Sequence, residues 1–488
     1  MAKKIKKYKF RTFWENRCAW LIILIFTALF LIFEFVSYYN FRFPVLDLGL
    51  YNRHFWGMSN FDFGANPLKG YNLLGDHSHF VLLILIPIYS LFKHPQTLLV
   101  IQALAVALSG YPIYLIAKKY FGNKTIASLW LIPYFLYFGF ASALDYPFHV
   151  SVLAVLPMAW AFYFLLEKKT SPLLISLAFL LLTKEDMPLI VIFFGLYLMF
   201  FYRKYLLGSI IVILSAIYFV YITKYFLPNM SQIHYYYSDA GQLGQTWSEA
   251  IVNSIKQPLL FFKNLFTPIV KTTSMIYSIL PFAGLSLLAP EIFVFISPLW
   301  LGRFLNTQEW RWLTLQHYSA NQTPILIVAA IIGLYRLSKL FKNKRSKDIS
   351  VKIAITAMFV ATIYVNYQLP GRDLFNLFDK GFYIVNPEVM SAREAIKLIP
   401  NNASVGVQSA FPQLTSRDKV YNVPKFIDSG EIWPEYVVLS TTLDFWPFKS
   451  AEEVQSFKEN LILNRSYQEV FNENGVFVVK RTNVPSPK

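Results

Sequence analysis

The chain is poor in charge. Of its 488 residues only 15% are Asp, Glu, Lys or Arg, against about 25% in soluble globular proteins, too few to cover a chain of this length against water. Cysteine is nearly absent. Cys18 stands alone, which excludes an intrachain disulfide and any site built on several thiolates. At the edge of an apolar run it reads as a small buried hydrophobe. No nucleotide-binding motif and no internal repeat of fixed period is evident. The N-terminus is basic and then apolar, but no small-residue cleavage site follows the run Ala19 to Tyr39, so it reads as an uncleaved first span.

What is present is hydrophobic: 55% of residues, with 18% aromatic. They come in blocks of roughly 15 to 22 residues, the length that crosses ~30 Å of hydrocarbon. The net charge of +17 does not imply a nucleic-acid partner, because the cations sit in short connectors. Lys3, Lys4, Lys6 and Lys7 open the chain; Lys118, Lys119 and Lys124, then Lys168 and Lys169, then Arg203 and Lys204, then Lys342, Lys344, Arg345 and Lys347 follow. This is the pattern of cytoplasmic loops.

Placing those loops inside gives about 11 spans, N-terminus in and C-terminus out: 17–40, 96–117, 125–144, 149–166, 171–182, 187–202, 205–227, a hairpin of two over 274–304 punctuated by Pro281, Pro290 and Pro298, then 323–341 and 350–368. Residues 41–92 form an outer juxtamembrane segment, in which Phe80 to Phe92 is too short to span and is interrupted by Pro87. Residues 228–273 form a long outer loop with an aromatic run, His234 to Tyr237. From about residue 370 the composition changes. The β-rich runs SVGVQ, KVYNV, EYVVLS and VFVVKR alternate with PEVMSAREAIKLIP and SAEEVQSFKENLIL, predicting a small α/β domain outside the membrane over 370–488. The fold class is therefore mainly α, a polytopic membrane bundle over 1–369 with a small α/β appendage.

Ionisable residues near apolar spans are expensive and read as functional candidates. Here they gather in connectors assigned to the outer face: Asp47 after the first span; Asp76, His77 and His79 in GDHSH; Asp145 and His149 in DYPFH; Lys184, Glu185 and Asp186 in TKED; His317 in LQHYS. Singly, each has a plainer reading as a cap or loop residue. Inner connectors bring mainly Lys and Arg, and that asymmetry sets the outer group apart. Carboxylates with imidazoles suit a general base and its orienting partner, or metal ligands, for which Asp76, His77, His149 and Glu185 would serve. Asp145 and His149 are four apart, but Pro147 between them disfavours a shared helical face. The cations Arg42, Arg53, Lys184, Arg303 and Arg311 could hold a phosphate or snorkel to headgroups.

The runs FPVLDLGLYNRHFW, NLLGDHSHFVLLILIPIYSLF, DYPFHVSVLAVLPMAWAF, TKEDMPLIVIFFGLYL and LQHYSANQTPILIVAAIIGL resemble the bacterial and archaeal membrane proteins of the domain of unknown function 2079 family. That family is similar in turn to the GT-C superfamily of membrane glycosyltransferases. The resemblance implies a polyprenyl-phosphate-linked sugar donor, an essential acid in the first outer loop, juxtamembrane helices and an outer C-terminal domain that docks or selects the acceptor. Asp47 occupies the position of that acid. Many GT-C enzymes carry paired acids there, whereas Leu48 and Gly49 follow Asp47, which favours a lone base or positioning group over a metal site in this loop.

On this reading Asp47 deprotonates or orients the acceptor, and Lys184 or Arg53 binds the leaving phosphate. His77, Asp145, His149, Glu185, Asp186 and His317 position the sugar, or some of them bind a divalent ion. The alternatives are an ion-coupled transporter using the same groups, or a non-catalytic assembly protein. Membrane lipids and an unidentified acceptor complete the expected partners.

Overall fold

The computed structural model describes residues 16–231, 239–369, 373–428, 430 and 432–482. The basic N-terminal residues Lys3 to Lys7 and the aromatic run His234 to Tyr237 lie outside them. The first helix, α1 (Arg17–Tyr39), shows why the chain folds as it does. Its buried residues Ala19, Ile23, Phe26, Phe30 and Phe33 recur every three or four positions, while Leu21, Leu24, Ile25 and Ile32 on the other side are exposed. A helix that buries one apolar stripe and displays another is packed on protein at one face and on lipid at the other. Cys18 falls on the exposed side, because the buried stripe begins one residue later, at Ala19.

The juxtamembrane segment follows as α2 (Leu50–Ser59) and the nine-residue α3 (Val81–Tyr89). Next come α4 (Pro95–Phe121) and a bent pair, α5 (Lys124–Phe135) and α6 (Phe138–Asp145), whose axes meet at 47°. The helices α7 (Val150–Leu166), α8 (Thr170–Leu181) and α9 (Met187–Tyr202) are apolar but shorter than a full crossing, and α10 (Tyr205–Ser231) is long and mostly exposed. Residues 247–279 form α11 (Trp247–Lys256), α12 (Pro258–Phe266) and α13 (Ile269–Ile279). Where a two-span hairpin was expected at 274–304, the end of α13 is followed by short turns and then α14 (Ser297–Phe304). Proline at 281 and 290 and left-handed backbone at Ala283 and Gly284 prevent a continuous helix. The centre of the bundle is α15 (Gln322–Ser338), with every residue from 322 to 334 buried, and α16 (Lys344–Gln368) closes the membrane part. Five helices among the described residues are long and apolar enough to cross a membrane, six if the bent pair is one span.

Beyond residue 380, α17 (Pro387–Lys397) and α18 (Ala451–Asn464) pack on a five-stranded sheet of order β2-β1-β3-β5-β4. The strands are β1 (Val405–Val407), β2 (Val420–Asn422), β3 (Tyr436–Ser440), β4 (Tyr467–Glu473) and β5 (Val476–Arg481). β1 runs parallel to β2 and β3, and β5 antiparallel to β3 and β4. One core joins this domain to the loop after α1: Phe41, Val45, Leu50 and Leu68 pack with Phe411, Leu414 and Val420. The loop therefore belongs as much to the C-terminal domain as to the helical bundle.

Candidate functional site

Asp47 sits on a strained turn. Its backbone has φ 64° and ψ −78°, the geometry of a rare γ-turn that L-residues avoid, costing about 1–3 kcal/mol. Contacts to the C-terminal domain hold the turn on both sides. Before it, the Val45 amide donates to the Ser409 carbonyl at 2.6 Å. After it, the fully buried Asn52 donates to Thr415 Oγ1 at 2.9 Å and Ser416 Oγ at 3.0 Å, and accepts from the Tyr89 hydroxyl at 2.7 Å. The result is a carboxylate aimed into a cavity of about 170 Å³, whose walls include Tyr51, Lys69, Asp76, His77, Tyr146, His149, Lys184, Arg311, His317 and Tyr318. Burial pushes the Asp47 carboxyl up to about 6, against the Tyr146 hydroxyl, Lys69 and His77, which pull it down.

The opposite wall is made by two loops that meet. Gly75 lets GDHSH pass the end of α10: a Cβ there would lie 2.5 Å from the Ser231 nitrogen. His77 Nδ1 then bonds Glu185 Oε1 at 2.7 Å, and the Ser78 amide donates to Glu185 Oε2 at 3.3 Å. Burial alone would raise the Glu185 carboxyl, but His77, Lys184 and His79 outweigh it and hold Glu185 below the usual carboxylate range. Glu185 stays ionised and fixes the His77 ring, as a carboxylate orients an imidazole.

His149 is placed from the membrane side. Gln102 on α4 accepts its backbone N–H at 2.8 Å, and the same amide donates to the Ala143 carbonyl at 3.0 Å and to the buried Glu34 of α1 at 3.4 Å. The Ser151 amide donates to His149 Nδ1 at 3.2 Å, so the neutral ring carries its proton on Nε2. Burial, with His317, Lys184 and His77 nearby, keeps His149 well below the ordinary imidazole range. Its ring stacks on His317 with centroids 3.5 Å apart and planes at 10°. The turn carrying His317 approaches α6 at Gly139, where a Cβ would lie 2.5 Å from the Ser319 carbonyl oxygen.

Of the residues singled out in the sequence, Asp47, Asp76, His77, His149, Lys184 and His317 line one cavity. Glu185 and Asp186 line a smaller one beside it, together with His77, Lys184 and His317. Arg42, Arg53, His79 and Asp145 line neither cavity. Arg53 is buried against Asp62 (3.4 Å) and the Asp418 carbonyl (3.1 Å), where it ties α2 to the C-terminal domain. Asp145 is exposed at the end of α6 and lines neither cavity; the charge acting on it is Arg42. Lys69, Tyr146 and Tyr318 were not singled out. The signal for Lys69 is the one that marked Arg42 and Arg53, a cation in the segment that also brings Asp47, Asp76 and His77. Among the described residues no three His, Cys, Asp or Glu side chains are grouped to hold a metal ion.

The family model of predicted membrane proteins known as DUF2079 matches residues 37–478. The chain belongs to this family. Its fold is shared with crystal structures of ArnT from Cupriavidus metallidurans. The form bound to undecaprenyl phosphate aligns over 96% of this chain and 99% of that one, with a TM-score of 0.55 at 15% identity. The apo form aligns over 94% and 97%, with a TM-score of 0.51 at 14% identity. At that identity the likeness establishes the fold alone, that of a polytopic membrane protein like ArnT. No curated protein matches the chain.

Proposed function

We propose that this member of the DUF2079 family transfers a sugar from a polyprenyl-phosphate-linked donor to an acceptor hydroxyl at the outer face of the cytoplasmic membrane. One observation carries the reading: a carboxylate that ionises near neutral pH shares a cavity with Lys69, Lys184 and Arg311. Undecaprenyl phosphate, bound by the ArnT structure of the same fold, is the kind of lipid whose phosphate such cations suit. With basic connectors inside, the cavity faces outward and the N-terminus lies in the cytoplasm.

At pH 7 a carboxyl titrating at about 6 is about ten-to-one ionised. Asp47 accepts the proton of the acceptor hydroxyl as that oxygen bonds to the anomeric carbon. The bond from the anomeric carbon to the phosphate oxygen breaks, and the electron pair leaves with the polyprenyl phosphate. Lys184, Lys69 and Arg311 stabilise the phosphate charge that develops. His77, held by Glu185, and His149, offering its Nε2 proton, bracket the sugar with His317. With no grouped ligand set among the described residues, no step is assigned to a metal ion.

The test is to offer the reconstituted chain a panel of polyprenyl-phosphate sugars and measure release of polyprenyl phosphate. Release from at least one donor is expected. A chain that binds none of them and instead carries protons or ions across the liposome is a transporter.

A further inference from the structure

Beside the main cavity lies a second one of about 60 Å³, in whose walls are Asp186, Trp247, His317 and Asn321. Each of these side chains also carries a buried atom with no hydrogen-bond partner among the described residues: Asp186 Oδ1, Trp247 Nε1, His317 Nδ1 and Asn321 Oδ1. Asn321 and His317 are themselves more than nine-tenths buried. Buried polar atoms are almost always paired, and four unpaired ones on side chains that line one small space single it out as a candidate ligand site. His77, Lys184, Arg311, His317 and Tyr318 line both cavities, so the two are neighbours that share these side chains.

The atoms specify the chemistry. Asp186 and Asn321 offer acceptors, the Trp247 indole offers only a donor, and the imidazole nitrogen can be either. A hydroxyl group both donates and accepts, and the space admits a few oxygen atoms but not a ring. An ammonium group could not satisfy the indole N–H. It would also meet Lys184, Arg303 and Arg311 in the same wall, with Asp186 already engaged by Lys184 at 3.6 Å. We propose that this cavity is the subsite for a neutral, hydroxylated edge of the transferred sugar, and that it selects against deoxy and amino sugars. The proposal rests on the donor reading given above and names its substrate class.

The test uses the full chain in liposomes with three donors: a polyprenyl-phosphate hexose, a set of its monodeoxy counterparts, and an amino counterpart. Wild type is expected to favour the hexose at least 100-fold in kcat/KM over one deoxy donor and over the amino donor. Trp247→Phe keeps the ring bulk and removes only the N–H. It should lower kcat/KM for the hexose about tenfold and leave the disfavoured deoxy donor unchanged, so that discrimination shrinks. Equal losses on every donor, or a wild type that uses the amino donor as well as the hexose, would overturn the subsite while leaving the transferase reading intact. If wild type transfers from no donor and Asp47→Asn binds none at equilibrium, both readings fall together.

Discussion

Replacing Asn52 with leucine removes the link between the Asp47 turn and the C-terminal domain at nearly constant volume. Asn52 is fully buried and makes three side-chain hydrogen bonds, to Thr415, Ser416 and Tyr89. At about 1 kcal/mol each the loss is about 3 kcal/mol. That is comparable to the upper end of the ~1–3 kcal/mol stored in a left-handed non-glycine residue, so the turn at Asp47 is free to relax. If it does, the share of molecules with Asp47 in place drops by about two orders of magnitude, at 1.4 kcal/mol per factor of ten. Asn52→Leu should therefore lose about 100-fold in kcat, and amide exchange at residues 45–50 should speed up. Thr415→Ser, which keeps the hydroxyl, should retain most activity. An Asn52→Leu protein with unchanged kcat and unchanged exchange would refute the idea that the C-terminal domain holds the turn.

Other outcomes follow from the same geometry. Because Asp47 acts ionised and titrates at about 6, the rate should climb as pH rises through 6 and then level off. Tyr146→Phe removes the hydroxyl that lowers Asp47 and should move that rise to higher pH, measurable in a pH–rate profile. Glu185→Gln should destabilise the protein by about 2 kcal/mol in thermal melts at neutral pH. Since Glu185 is held below the usual carboxylate range, that deficit should shrink as acid removes its charge in the wild type. Gly139→Ala puts a methyl 2.5 Å from the Ser319 carbonyl. It should cost about 1–3 kcal/mol in stability and displace His317, read as a raised KM.

Much of the membrane part is written in short-range pattern. The stripe at 19, 23, 26, 30 and 33, the nine-residue helix at 81–89 and the basic connectors are local features, and local features are legible one residue at a time. So are the acids and imidazoles at the span ends, of which five share one cavity wall. What was not legible depends on long-range closure. Nothing near Arg53 in the chain announces Asp418 as its partner, 365 residues away. Asn52 and Thr415 likewise meet only because β1 and the following turn pack on the loop after α1. Glu34 looks like an isolated carboxyl in an apolar span until Gln102 joins it to the His149 backbone. The edge strand β4 escaped because its YQEVFNE sequence is largely solvent-exposed and polar. The apolar stretch 280–296 has the composition of spans, but its prolines and two left-handed residues break it into turns.

The measurement that reaches the central claim most directly compares wild type with Asp47→Asn in liposomes, using a donor that wild type consumes. Asparagine preserves the size and the hydrogen-bonding edge but cannot take a proton. The account predicts unchanged donor binding and a transfer rate lowered by about 10²–10⁴. Transfer at the wild-type rate by Asp47→Asn would contradict it, because the strained turn would then hold a carboxylate that the reaction does not use.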